Sequence, residues 1–242
     1  MFYVILGMGL LFFGLGFLVT ENNASSLLSG YNTMSKEEQE KFPLTEYLER
    51  FKGFHIRFGI LFTVLGVVFY LTNAELLGWH MGITPILAYI YFFYQTKDLS
   101  MKVESQKNSF KVGIAVLIGT LVFVIGMFFW SDSPSEVLLD GDVLRISGPY
   151  GTDVPLEKID SLGISESLPE ISTRRHGNST GTVAKGKYRG PEGDYLLLID
   201  KPCEKVLWIG RKSADPVLIS LEELDEEKLL QALKESLELD AP

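Results

Sequence analysis

The sequence predicts a membrane α-helical bundle of four transmembrane helices, followed by a soluble, mostly β domain that ends in an α-helix. Charge divides the chain in the same way, because residues 1–133 contain 9 Lys/Arg and 10 Asp/Glu, whereas residues 134–242 contain 13 and 21. The net charge of −9 therefore splits into −1 and −8. Long apolar runs in the first part and short ones in the second are typical of a membrane unit joined to a water-facing unit.

The predicted spans are residues 2–20, 56–71, 79–94 and 112–130. The first is just long enough for a hydrocarbon core of about 30 Å. A cleaved signal peptide is its alternative, but no basic residue precedes Phe2. The third run is short and contains Pro85, so a re-entrant or tilted segment is its alternative. Small residues seven positions apart predict close helix packing; the pairs are Gly7 with Gly14, Gly9 with Gly16, and Gly119 with Gly126.

Basic residues are concentrated in the loops after the first and third spans, and they are Lys36, Lys41, Arg50, Lys52, Lys97, Lys102, Lys107 and Lys111. Short loops rich in Lys and Arg stay in the cytoplasm. With four spans, the N-terminus and the β domain are therefore both expected on the non-cytoplasmic side. If the third run does not cross the membrane, the β domain is expected in the cytoplasm instead. Ionisable residues of the spans lie near the borders (His55, Arg57 and His80), which disfavours a pump or an ion-coupled transporter.

The loop after the first span carries a distinctive motif, Gly30-Tyr31-Asn32-Thr33-Met34-Ser35. Ser35 and Glu38 form a capping box that predicts a short helix over residues 36–42 near the membrane surface. The motif resembles a family of small bacterial membrane proteins of unknown function, in which a GYNTMSKEE-like loop follows the first helix. It is more distantly similar to the SdpI immunity-protein family. The resemblance covers about residues 1–100 and implies no enzymatic reaction.

The second part predicts many short strands, at residues 137–139, 143–146, 153–155, 159–164, 171–175, 181–188, 195–199, 205–209 and 217–219. An Asp140-Gly141-Asp142 turn between apolar runs predicts a hairpin, and Gly177-Asn178 predicts another turn. Ser220 and Glu223 form a second capping box, which predicts an amphipathic helix running to about Leu239.

This order of elements, together with Gly186, Tyr188 and Gly190 in a Gly-x-Tyr-x-Gly stretch, resembles the bacterial pleckstrin-homology-like (PH-like) domain over about residues 136–239. Short strands at this spacing predict a sandwich or barrel, and with the final helix they predict a β-barrel closed by that helix, which is also what the resemblance implies. The resemblance also implies a binding or assembly module joined to membrane helices.

A basic stretch interrupts the acidic domain, and its residues are Arg174, Arg175, His176, Lys185, Lys187 and Arg189. If residues 171–189 form a hairpin, these side chains gather at one end and contact lipid headgroups or an acidic partner. The alternative is a solvated hairpin that is balanced by the carboxylates of the domain itself.

No pattern for catalysis, cofactor binding or metal binding emerges. The three histidines are far apart, the single Cys203 has no disulfide partner, and an acidic chain disfavours nucleic-acid binding. The sequence therefore predicts a non-enzymatic membrane protein that contacts membrane lipids and protein partners. Other copies of the same chain are among the partners considered, as in a homo-oligomer. The alternative is an immunity or membrane-stress factor that acts through its transmembrane helices; a small transporter or channel component is disfavoured.

Overall fold

The computed structural model describes residues 1–180, 183–202 and 205–239. The chain divides into two compact units, Met1–Gly126 and Met127–Pro242, called here the helical unit and the β unit. Cys203 lies outside the described residues, as do Gly181 and Thr182 at the start of one predicted strand.

The long helices of the chain match the predicted spans in order. The helices are α1 (Phe2–Leu18), α2 (Ala24–Leu27), α3 (Lys36–Lys41), α4 (Leu44–Thr72), α5 (Ala74–Ser100) and α6 (Glu104–Ser131). α4, α5 and α6 are long and apolar enough to cross a membrane, as a multi-pass membrane protein requires. α5 continues through Pro85 for 27 residues. α1 is apolar but has only 17 residues, so a fourth crossing stays a prediction.

α1 packs closely against α4 because small residues lie where the two backbones meet. A Cβ atom added to Gly59 would lie 2.6 Å from the backbone nitrogen of Phe13, and one added to Gly9 would lie 1.8 Å from Thr63 Oγ1. A Cβ on Gly16 would also touch α4. The packing predicted for Gly9 and Gly16 is therefore confirmed, and Gly59 supplies the facing surface.

α4 and α5 are joined by aromatic side chains and by two buried histidines. The ring of His55 contacts a carbonyl oxygen of its own helix and, at 3.2 Å, the hydroxyl of Tyr89. The ring of His80 lies 3.0 Å from the carbonyl oxygen of Phe62 and contacts a threonine hydroxyl one turn along α5. In each ring one nitrogen donates its N–H to the carbonyl oxygen, which can only accept, and the other nitrogen accepts from the hydroxyl. Both rings are therefore fully hydrogen-bonded as neutral imidazoles. They are structural contacts between helices.

α6 packs loosely within the helical unit. None of its residues is buried. Phe110 of α6 and Phe93 of α5 form a ring contact at 5.8 Å between centroids. A Cβ on Gly119 or Gly126 would meet nothing within 4 Å, and Gly7 and Gly14 of α1 are equally open. The prediction that these two glycine pairs let neighbouring helices of the same chain approach closely is therefore wrong.

After the end of α6, the described part of the β unit contains two sheets, a short 3-10 helix (Leu156–Lys158) and a C-terminal α-helix. Its elements are β1 (Val137–Asp140), β2 (Val143–Ile146), β3 (Thr152–Pro155), β4 (Ile159–Ser165), β5 (Thr173–Thr180), β6 (Val183–Gly190), β7 (Gly193–Ile199), β8 (Val206–Arg211), β9 (Ala214–Ser220) and α7 (Glu226–Leu239). β1, β2 and β3 form one sheet, and the others form a second in the order β4-β8-β9-β7-β6-β5. β7 and β9 are parallel. The predicted strands are confirmed within a few residues, as is the β1–β2 hairpin.

The described strands do not close into the predicted barrel. β4 and β5 are the two edges of the larger sheet, and the connection between them, residues 166–172, packs Leu168 and Ile171 on one face of that sheet. The turn predicted at Gly177-Asn178 is also wrong, because Gly177 pairs with Gly186 inside the β5–β6 hairpin. The two glycines have φ of +146° and +122°, and this close pairing favours glycine.

α7 covers the other face of the larger sheet and completes the main core. Leu233 is fully buried there among strand residues of both sheets. The helix begins at Glu226 and not directly after Ser220, since the carboxylate of Asp225 accepts a hydrogen bond from a backbone N–H three residues later, at 3.0 Å. Its end at Leu239 agrees with the prediction.

Candidate functional site

The motif loop, residues 30–35, is a folded element of the helical unit. Gly30 has φ of +92°, a conformation that favours glycine. The carbonyl oxygen of Gly30 accepts hydrogen bonds from Thr33 Oγ1 at 2.9 Å and from Gln106 Nε2 at 3.0 Å. The loop is therefore fixed both internally and to the beginning of α6.

The capping box predicted after the motif loop is present. Glu38 accepts a hydrogen bond from the backbone N–H of Ser35 and donates its own N–H to the Ser35 hydroxyl. A second carboxylate oxygen of Glu38 accepts from the backbone N–H of Ser105 in α6, at 3.3 Å. Hydrogen bonding to Ser105, and then to Ser35, lowers the pKa of Glu38. The loop, α3 and the start of α6 thus form one connected structure.

A cavity of about 620 Å³ lies behind the motif loop, between α4, α5 and α6, and is called the motif cavity here. Its walls are largely aromatic and include Phe42, Tyr47, Phe51, Phe92, Phe93 and Phe110. Gly30, Tyr31, Thr33 and Met34 of the motif loop line it, whereas Asn32 and Ser35 do not. Among the described residues that line it, none is Asp, Glu, Lys, Arg or His.

Sequence reasoning found the motif loop but missed the cavity. The aromatic side chains that form its walls come from the start of α4, the end of α5 and the start of α6. In a linear sequence such residues look like ordinary membrane-facing or core positions. Nothing in their spacing indicates that they meet.

The β5–β6 hairpin separates the residues of the basic stretch. Lys185 is fully buried, with Nζ at 2.6 Å from a carboxylate oxygen of Asp200. The same Nζ donates a hydrogen bond to the carbonyl oxygen of Ser133, and Asp200 accepts one from the backbone N–H of Ser135. Lys185 is therefore an interior anchor for residues 133–135 and is not available for surface contacts.

The remaining basic residues of β6 face carboxylates of the same unit. Lys187 Nζ lies 2.6 Å from Asp215, and Arg189 Nε lies 2.6 Å from Asp194. The hydrogen bond from Arg189 lowers the pKa of Asp194. The exposed basic residues of β5 are Arg174, Arg175 and His176, and Arg175 Nε lies 3.8 Å from the same carboxylate of Asp194. Their role in binding stays a prediction.

Candidate metal ligands do not come together in the part of the chain that the structure describes. No group of three or more His, Cys, Asp or Glu residues there could hold a metal ion.

The comparison with known families concerns the helical unit. Residues 6–98 match the model of a family described as a domain of unknown function (DUF3784). No curated protein matches the chain, and no solved structure matches it. The match begins within α1, includes the motif loop and ends near the end of α5. Over these residues the chain is similar to a family of unknown function, in agreement with the class that the motif predicts.

Proposed function

We propose that this chain is a non-enzymatic integral membrane protein whose β unit is PH-like and acts as a binding module at the membrane surface. The succession of strands followed by a C-terminal helix supports the likeness, although the described sheets remain open. The binding surface that we propose is the outer edge of β5, and its ligand is a surface of anionic lipid headgroups.

The observation that carries this proposal is the composition of the edge strand β5. Arg174, Arg175 and His176 are consecutive and exposed in a domain that is otherwise strongly acidic. The pairing with β6 shifts register between Arg174 and His176, so Arg175 forms a bulge. A bulge and several charges keep an edge from pairing with another strand. Contact through side-chain charge therefore suits this edge better than addition of a peptide strand.

Reversing two charges on β5 is expected to weaken binding to anionic vesicles. A basic side chain near an anionic surface contributes about 1 kcal/mol, so Arg174→Glu with Arg175→Glu should reduce binding by roughly tenfold or more. The measurement is co-flotation of the full-length protein, held in nanodiscs of phosphatidylcholine, with vesicles that contain phosphatidylglycerol.

The matched control is Lys228→Glu with Lys234→Glu, which makes the same change in net charge on exposed positions of α7. It should leave binding nearly unchanged. Equal losses in both variants, or no preference of the unaltered protein for anionic vesicles, would contradict the proposed surface.

We further propose that α1 also crosses the membrane and that the β unit lies on the non-cytoplasmic side. In a Cys203→Ser background, Glu192→Cys, at an exposed turn of the β unit, should react with a membrane-impermeant maleimide in intact cells. Lys41→Cys, at the end of α3, should react only after lysis. The reverse pattern would place the β unit in the cytoplasm.

A second candidate function is an immunity or membrane-stress factor that acts through the helices. It is favoured by the family match, which covers only the helical unit. Deletion of residues 134–242 separates the two proposals. Protection against a membrane-active toxin should survive the deletion if the helices act alone, and it should be lost if the β unit is required.

A further inference from the structure

We propose that the motif cavity binds a neutral amphiphile, a molecule with an uncharged oxygen-containing head and one apolar chain, taken from the bilayer. The proposal is independent of the function proposed for the β unit. It rests on the size, the wall chemistry and the position of the cavity.

The size and walls of the cavity fit a small apolar ligand. Its volume of about 620 Å³ lies within the roughly 300–1,000 Å³ of ordinary small-molecule sites, which are mostly apolar with a few placed polar groups. Phe93 of α5 and Phe110 of α6 face each other across one end. Since α6 contributes no buried residue to the unit, the wall that it forms is open to adjustment around an apolar chain.

Charge decides the class of ligand. The described lining residues include no acidic or basic side chain, although Lys36, Lys41, Lys97 and Lys102 are close to it in sequence. A charged headgroup that entered such a site would lose its hydration without gaining a counter-charge, which is strongly unfavourable. The cavity therefore selects against anionic phospholipids and in favour of uncharged heads.

The polar groups that would hold the head are tyrosine hydroxyls. Tyr31 and Tyr47 line the cavity and are joined through Phe42, with ring centroids 5.7 Å and 5.5 Å apart in the two contacts. Among the described residues neither hydroxyl makes a side-chain hydrogen bond, and neither oxygen is buried without a partner, so both are accessible. By contrast, the hydroxyl of Tyr89 is occupied by His55. An ester or hydroxyl oxygen of the ligand would satisfy the two free groups.

The position of the cavity indicates that its ligand comes from the bilayer. Its lining residues lie at one end of the helices, where α4 begins, α5 ends and α6 begins. This end carries the loops rich in lysine and corresponds to a membrane border. A lipid with its head at the border and its chain between α5 and α6 would keep the orientation that it has in the bilayer.

The test uses the full-length protein in phosphatidylcholine nanodiscs with trace amounts of a diazirine-bearing monoacylglycerol. We expect cross-links on peptides from residues 28–47 and 92–113, with loss of the signal when unlabelled monoolein is added. A diazirine-bearing lysophosphatidic acid with the same chain should not label these peptides. Tyr47→Phe should lower the yield two- to tenfold, the effect of one lost hydrogen bond.

Two matched controls distinguish the cavity from the general lipid-facing surface. Tyr94→Phe removes an exposed tyrosine hydroxyl of α5 and should leave the yield unchanged. Ser109→Trp, which fills the cavity from α6, should abolish labelling, whereas Thr120→Trp on the exposed part of the same helix should not. Because Tyr47→Phe removes a single oxygen atom, it remains informative if the tryptophan variant does not fold.

The proposal is overturned by any of three results. The first is labelling spread over the exposed faces of α4 and α6 without enrichment at the cavity. The second is equal labelling by the anionic analogue. The third is a yield with Tyr47→Phe that equals the yield with Tyr94→Phe.

Discussion

Replacement of Lys185 by methionine is expected to lower the free energy of unfolding of the β unit by about 3–5 kcal/mol. The Lys185 side chain is fully buried and its partner Asp200 is 11% exposed. Methionine leaves the Asp200 carboxylate with its hydrogen bond from Ser135 but without a counter-charge, and an uncompensated buried charge is costly. Hydrogen exchange of the amides of β6 and β7 in the full-length protein measures the loss.

Lys187→Met is the matched control, because it removes the same charge two residues away on the same strand. The Lys187 side chain is 50% exposed and pairs with Asp215, which is 31% exposed. Such pairs contribute only about 0–1 kcal/mol. Equal protection from exchange in the two variants would show that the buried Lys185–Asp200 pair does not contribute more to the free energy of unfolding than the exposed Lys187–Asp215 pair.

The second large effect is expected in the helical unit, where Gly59→Ala should separate α1 from α4. The added methyl group would lie 2.6 Å from the backbone nitrogen of Phe13 and 2.8 Å from the carbonyl oxygen of Gly9. Backbone atoms cannot move aside as a flexible side chain can, so the helices must shift. Overpacking of this kind costs about 1–3 kcal/mol, which denaturation of the protein in micelles would record.

Gly119→Ala provides the baseline for this comparison. An alanine there meets nothing within 4 Å, and alanine is favoured over glycine in a helix by about 1 kcal/mol. The two substitutions therefore have the same chemistry and opposite expected signs. A loss of stability in both variants would mean that the close approach of α1 and α4 is not the cause.

Together these contacts indicate that the two units are stabilised by different kinds of interaction. The helical unit depends on close backbone approach and on internally satisfied histidines, since a bilayer offers no water to unpaired polar groups. The β unit depends on an apolar core between its sheets and α7, with the buried ion pair of Lys185 and Asp200 at its margin. The β5 edge lies outside these cores, whereas the motif cavity borders the aromatic core of the helical unit and shares Phe92 with it.

The sequence alone was sufficient for the division into an apolar and an acidic part, for the strand positions and for the motif loop. These features are local, because they depend on composition, on period and on turn residues within a few positions. It was insufficient for the closure of the sheets. Nothing in the strands themselves states that β4 and β5 lie at opposite edges, since edge positions follow from pairing between distant segments.

The basic stretch shows the same division between local and tertiary information. Its six residues are equivalent in the sequence. The fold separates a buried Lys185, two residues of β6 paired with carboxylates, and three exposed residues on an edge strand, of which Arg175 also lies 3.8 Å from Asp194. The sequence by itself determined that basic residues concentrate here. Only the tertiary structure decided which of them is buried, and which aromatic residues enclose the motif cavity, because burial depends on contacts between segments far apart in the chain.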